Sequence, residues 1–69
     1  MADGVNAYDT LRIFVVEELS GDYVDLNNGR EYTILPELHM GDKPFKVRDK
    51  ESREEKLCSM MDMTSLRRI

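Results

Sequence analysis

A single cysteine, Cys58, removes the usual staple from a chain that is too short to do easily without one. The chain has 69 residues and opens on Met1, so it reads as one complete small domain. A domain of about 60 residues buries only roughly 60% of the surface that its unfolded chain exposes. The expected core is thin, worth about 3–5 kcal/mol net. No internal disulfide can form, and one cysteine with one histidine (His39) is too few for a four-ligand zinc site. What remains as a staple is a partner. A lone cysteine also fits a reducing compartment.

Hydrophobic residues make up 41% of the chain, enough for a core, while 35% are charged, well above the roughly 25% usual in globular domains. Residues 11–16 form the longest nearly apolar run, far short of the about 20 residues a membrane span needs. The N-terminus lacks the basic start of a secretory signal. The expectation is a soluble, cytoplasmic protein with no membrane partner. Charge is unevenly placed. Residues 1–35 hold seven acids against two bases, and residues 36–69 hold seven acids and eight bases. A nucleic-acid binder usually concentrates bases on one face, and the front half does the opposite.

Residues 1–9 read as a flexible arm with Val5 and Tyr8 as isolated anchors. Residues 10–17 read as a central strand, because Leu11, Ile13 and Val15 alternate with Arg12, Phe14 and Val16, and β-branched or aromatic residues dominate. Tyr23 to Leu35 read as a hairpin around Asn27-Asn28-Gly29. A three-residue loop would set Val24 opposite Tyr32 and gather Val24, Leu26, Tyr32 and Ile34 on one face. Pro36 is expected to end that strand, residues 36–40 to make one helical turn, and Phe45 to Val47 to form a short strand, placed at a sheet edge by Pro44. From Asp49 the period changes. Ser52 and Glu55 match a capping box, Leu57, Met60, Met61 and Thr64 follow helical spacing, and Arg67 and Arg68 suit a helix C-terminus. The expected fold is α+β: a small antiparallel sheet of three to four strands with one C-terminal helix over 50–67, or a tail ordered only on binding. The expected units are the arm 1–9, a β-rich core 10–48 and a charged amphipathic tail 49–69. A short strand, a hairpin, and Gly41-Asp42 followed by an alternating strand are similar to small SH3-like barrels. That similarity covers under half the chain, has no specific motif and implies no function.

The catalytic inventory is short. His39 and Cys58 could formally pair as base and nucleophile, but no orienting third group or oxyanion loop is suggested. Asp22, Asp25 and Glu31 lack the spacing of a calcium loop, and the single glycines form no phosphate cradle. No enzyme activity and no cofactor is expected. The expected function is a small regulator or inhibitor that binds a larger protein complex, with the transcription apparatus (RNA polymerase) as the first guess. Its candidate contact residues are Val5, Tyr8, Asp22, Tyr23, Asp25 and Glu31 in the acidic front half, and Met60, Met63 and Leu66 in the methionine-rich tail, since methionine packs adaptably at binding surfaces. One alternative is a nucleic-acid-binding minidomain using Lys43, Phe45, Lys46, Arg48, Lys50, Arg53 and Lys56, with Phe45 stacking on bases. Another is an antitoxin-like protein that neutralises a basic partner.

Overall fold

The computed structural model describes residues 7–69. The expected arm lies outside them over residues 1–6, and with it the candidate contact Val5. An α-helix, α1 (Ala7–Phe14), runs into a π-helical turn (Val15–Leu19). Five strands follow: β1 (Gly21–Asp25), β2 (Glu31–Leu38), β3 (Phe45–Asp49), β4 (Glu55–Cys58) and β5 (Leu66–Arg68), with a 3-10 turn (Met61–Met63) between β4 and β5. All pairings are antiparallel, in the order β4-β3-β2-β1-β5. This is a four-stranded meander whose chain returns through a 3-10 turn to lay its last strand beside its first. The short strand that entered the similarity to SH3-like barrels is a helix.

The expected fold is therefore corrected at both ends: the helix is N-terminal, and the sheet has five strands. Residues 10–17 satisfy two periods. The alternation Leu11, Ile13, Val15 is one. The other is Tyr8, Leu11, Val15 and Leu19, at steps of three and four, which is helical. The second carries the packing. Val15 is fully buried, and Leu11 and Leu19 pack against the same core. Tertiary burial thus overrides the modest helix propensity of Ile13, Val15 and Val16.

At the other end, the expected helix over 50–67 is divided among a tight loop, β4, the 3-10 turn and β5. Arg53 takes a left-handed backbone (φ 66) and reverses the chain. Lys50 faces Asp22 and Glu31 across the sheet at 3.4 Å each. The reciprocal capping expected of Ser52 and Glu55 occurs instead at Ser59 and Asp62. The Ser59 amide donates to the Asp62 carboxylate (2.9 Å), and the Asp62 amide donates to the Ser59 hydroxyl (3.3 Å).

The hairpin exists, one residue out of the expected register. Tyr23 faces Tyr32 and Val24 faces Glu31. The loop is Leu26 to Gly29, closed by hydrogen bonds from the Asp25 amide to the Arg30 carbonyl and from the Gly29 amide to the Asp25 carbonyl. Opposed residues share a sheet face, so this register puts Tyr23, Tyr32 and Ile34 inward and turns Val24 outward. Burying the large Tyr23 ring outweighs burying Val24 and Leu26. The β3–β4 loop repeats the shape, with Arg53 where the first loop has Gly29, and the Arg53 amide bonded to the Asp49 carbonyl.

Pro36 does not end β2. The register slips between Ile34 and Leu38, a bulge in which the missing proline N–H leaves no ladder bond unmade. Residues 36–38 are thus strand rather than the expected helical turn. Pro44 precedes a central strand, since β3 lies between β2 and β4. The core is Val15, Tyr23, Ile34, Phe45, Val47, Cys58 and Met63, all on the concave face or on the elements that plug it.

Candidate docking surface

None of the eight residues of α1 is buried. Its core-facing side meets the sheet through Leu11 and then Val15, while the Tyr8 hydroxyl donates to the Leu38 carbonyl at 3.3 Å. The other side is apolar as well. Ile13 is 50% exposed, Phe14 45% and Val16 39%. On a helix, neighbours lie three and four residues apart, so the exposed Ile13, Val16 and Glu17 form one outward patch. Glu18 is exposed beside it.

The helix is fastened at its C-terminal end by the last strand. The π-helical turn closes with a bond from the Ser20 amide to the Val15 carbonyl (2.8 Å). Its final carbonyls, the negative end of the helix dipole, receive a cation from 48 residues or more away in sequence. The Arg68 guanidinium donates to the carbonyls of Glu18, Leu19 and Ser20 and to the Tyr23 hydroxyl, and lies 4.9 Å from the Tyr23 ring centroid. Tyr23 in turn donates to the Leu19 carbonyl. Glycine at position 21 makes room for the clamp, because a Cβ there would stand 2.8 Å from Arg68 Nη1.

The acidic patch expected around the hairpin is not an open acidic surface. Asp22 accepts from the Thr33 hydroxyl (2.9 Å) and from Lys50, contacts that lower its pKa in that order of weight. Glu31 shares the same Lys50. Tyr23 is core, Asp25 accepts the Asn27 amide within its own loop, and Met63 is buried. Leu66 is half-buried against the core. Of the expected contact residues, Tyr8, Asp22, Glu31 and Met60 are exposed, Asp22 and Glu31 with Lys50 beside them.

The alternative basic set is split by the strand alternation that the sheet imposes. Lys46 and Arg48 point outward and share Glu55, at 3.3 and 2.8 Å, which holds that carboxyl below its usual range, Arg48 having the larger effect. Lys56 points inward, 5.8 Å from the Tyr32 ring. Phe45 is 2% exposed and cannot stack on a base. Arg48, Lys50 and Arg53 gather with Thr33 and Glu55 on the outer face, while Lys43 sits on a separate loop. The outer face therefore keeps part of the basic set, interleaved with Asp22, Glu31 and Glu55.

Cys58 is buried, and burial pushes its thiol pKa up, with Asp62 adding to the rise. It is kept as the un-ionised thiol, the poorer nucleophile. The only histidine places Nε2 2.7 Å from Glu37 Oε1 rather than against the sulfur. No group of three or more metal-ligating residues occurs among the described residues. No helix among them is long and apolar enough to cross a membrane.

Sequence reasoning missed Ile13, Phe14 and Val16 as surface residues because it placed them in a strand. The step of three and four from Tyr8 to Leu19 was the signal that could have found them. No family model, curated protein or solved structure matches this chain.

Proposed function

We propose that this protein is a small binding module without catalytic chemistry, which docks on a larger protein through α1 and its π-helical turn. The observation that carries this is that α1 buries none of its own residues and, with the π-helical turn that follows it, exposes Ile13 and Val16 side by side and Phe14 on the adjoining side. A helix this short is marginal by itself in water, so the patch persists because the sheet and Arg68 hold it. Such a pre-held helix with apolar and acidic residues suits an apolar groove rimmed by lysine or arginine. Glu17 and Glu18 would set orientation and speed encounter more than they add affinity. The role that follows is an accessory regulator or inhibitor of a larger assembly, and the transcription apparatus is the first target to try.

The test is affinity capture of the full chain from nuclease-treated lysate across a salt gradient, run alongside Ile13→Asp, Phe14→Asp and Glu17→Lys. These positions are exposed, so circular dichroism should show the fold unchanged. Support is a stoichiometric protein partner that the apolar variants lose and that Glu17→Lys releases at lower salt. A partner captured equally by wild type and Ile13→Asp would overturn the reading. Capture that nuclease abolishes would return the outer-face bases to consideration.

A further inference from the structure

On the side of the sheet away from the core, the register lines up polar side chains in rows. Asp22, Thr33, Arg48 and Glu55 stand opposite one another across four strands, and Arg67, Val24 and Glu31 stand in the next row. Opposed residues share a face, and both rows alternate with the inward Tyr23, Tyr32 and Val47. Lys50 and Arg53 join them from the loop between β3 and β4. Among these side chains lies an open groove of about 640 Å3, lined by Thr33, Arg48, Lys50, Arg53 and Glu55.

The cations of the groove are unequally engaged. Arg48 donates through Nε and Nη2 to Glu55, at 2.9 and 2.8 Å, which pins its guanidinium and leaves Nη1 free. Lys46 shares the same carboxylate at 3.3 Å. The Arg53 guanidinium has no hydrogen bond or ion pair with any described residue. Its loop neighbours lie on the other side, Glu51 toward Arg30 and Glu54 in the inner cleft with Tyr32 and Val47. Three cations thus meet one carboxylate at this end. At the other end Lys50 alone serves Asp22 and Glu31, at 3.4 Å each. Arg53 is also costly to the fold. Its backbone is left-handed (φ 66) where the first hairpin loop has Gly29 (φ 75), and the turn is closed by its amide on the Asp49 carbonyl at 2.8 Å. The turn needs only that backbone, which glycine would supply without the penalty. Strained residues of this kind gather at binding sites.

We propose that this groove binds a phosphate monoester carried on a protein segment, a phosphoserine or phosphothreonine of a partner, held between Arg48 and Arg53 with Lys50 beside them. A phosphate group brings a charge near −2 and three strong acceptor oxygens, which suits cations arriving from separate residues, whereas a carboxylate is satisfied by a single guanidinium fork. Charge argues against a nucleic acid. The phosphates next along such a chain would lie over Asp22 and Glu31, which share one lysine, and the groove offers no aromatic ring for a base to stack on. A lysine beside the phosphoresidue fits that end instead. A free small phosphate compound is disfavoured by the openness of the groove, whose lining has no apolar wall to cover it. The site lies on other elements than the helix patch and does not rest on it.

The test is an NMR titration of the isotope-labelled full-length protein with a short glycine- and serine-rich peptide carrying one phosphoserine and one lysine. The same peptide with serine or glutamate in place of the phosphoserine, inorganic phosphate, and a short single-stranded oligonucleotide are titrated alongside. The expected result is a salt-sensitive shift of the Nε–H signals of Arg48 and Arg53, with the phosphopeptide bound at least about tenfold more tightly than any of the other probes. Arg53→Gly relieves the left-handed backbone, so it should fold at least as stably as wild type and still weaken the phosphopeptide by about tenfold. Arg67→Ala and Ile13→Asp should leave binding unchanged. Phosphorylated and unphosphorylated peptides bound alike would overturn the proposal, as would full binding by a folded Arg53→Gly. Inorganic phosphate bound as tightly as the phosphopeptide would reduce the groove to a site for an adventitious ion only, and a tighter oligonucleotide would make it a nucleic-acid face; either result also overturns the proposal. Each of these failures leaves the helix reading standing, since Ile13→Asp tests that separately.

Discussion

When Arg68 is replaced by alanine, the end of the helix loses its counter-charge and its tie to the sheet together. The guanidinium donates to the carbonyls of Glu18, Leu19 and Ser20 and to the Tyr23 hydroxyl, and stacks 4.9 Å from the Tyr23 centroid. A single charge-assisted hydrogen bond contributes about 1.5–3 kcal/mol net. A cation at a helix C-terminus adds about 0.3–1 kcal/mol, and an exposed cation–π contact about 0.5–1 kcal/mol. These do not sum. Arg68 is exposed, water can replace it at the carbonyls, and one side chain makes all the contacts. A loss of about 2 kcal/mol is expected, against a margin of about 3–5 kcal/mol for a core this small. The melting temperature should fall by roughly 8–16 °C.

The assay is thermal and urea unfolding followed by circular dichroism, with amide exchange at Ser20 as the local readout, since that amide closes the π-helical turn. Arg68→Lys keeps the charge but not the planar fork and should recover less than half of the loss. Gly21→Ala attacks the same clamp from the other side. It brings a methyl group to within 2.8 Å of Nη1 at a φ of 136°, and it should speed Ser20 exchange as Arg68→Ala does. Arg67, the exposed neighbour on β5, is the control, with a change within about 0.5 kcal/mol for Arg67→Ala. If Arg67→Ala and Arg68→Ala unfold alike, or if Ser20 exchange does not respond, the clamp does not hold the helix.

The two four-residue hairpin loops offer a matched pair: Arg53→Gly removes a left-handed penalty (φ 66) and should stabilise by roughly 0.5–1 kcal/mol, whereas Gly29→Ala (φ 75, with nothing near its Cβ) should cost about 1 kcal/mol, both read from urea midpoints. Equal and negligible effects would show that the loops relax. Cys58 should resist thiol reagents until the protein unfolds, so its labelling rate should rise with denaturant in step with the unfolded fraction; rapid labelling without denaturant would contradict its burial. Below pH 5 the protein should lose stability. Asp49 is held low first by Arg30 and then by the Glu51 amide, Asp22 by Thr33 and then Lys50, Glu55 by Arg48 and then Lys46, and Asp62 by the Ser59 amide and then its hydroxyl. A carboxyl depressed in the folded state contributes above its unfolded pKa, about 3.9 for Asp and 4.3 for Glu, and that contribution disappears as pH falls through the folded value. A melting temperature that stays flat from pH 5 to pH 3 would refute the pairing.

Much of the local chemistry was legible in the sequence, while its placement was not. The hairpin around Asn27-Asn28-Gly29 and the alternation of Phe45 and Val47 are signals that need no distant partner, and both elements are there. The register of the hairpin failed by one residue because the rule counted Val24 and Leu26 as core. It could not see that Tyr23 would be claimed from outside the hairpin by Leu19 and Arg68. Residues 10–17 carried both a strand period and a helical one. The choice between them was made by Val15, which fits the open end of the sheet, and the eight-residue window hid that by stopping short of Leu19. The basic segment looked coherent only while it was a line of text. Folded, alternation sends Lys46 and Arg48 to one face and Lys56 to the other.

The tail shows the physical reason most clearly. An arginine suited to a helix C-terminus and a serine–acid capping pair were both read there for a helix that does not form, and interactions of both kinds occur elsewhere. Arg68 neutralises a helix C-terminus, but the helix belongs to the opposite end of the chain. A capping pair braces a turn, but it is Ser59 with Asp62 instead of Ser52 with Glu55. Backbone carbonyls at a helix end need a cation regardless of where in the sequence it comes from, so a capping signal fixes a chemical demand and leaves its partner open. The partner is decided by which arrangement buries the most apolar surface. Here Tyr23, Phe45 and Cys58 fit under a sheet that only β4 and β5 can complete. With the tail spent on that sheet, Arg68 arrives beside a helix end that has no basic residue of its own, and the apolar outer side of α1 is left exposed.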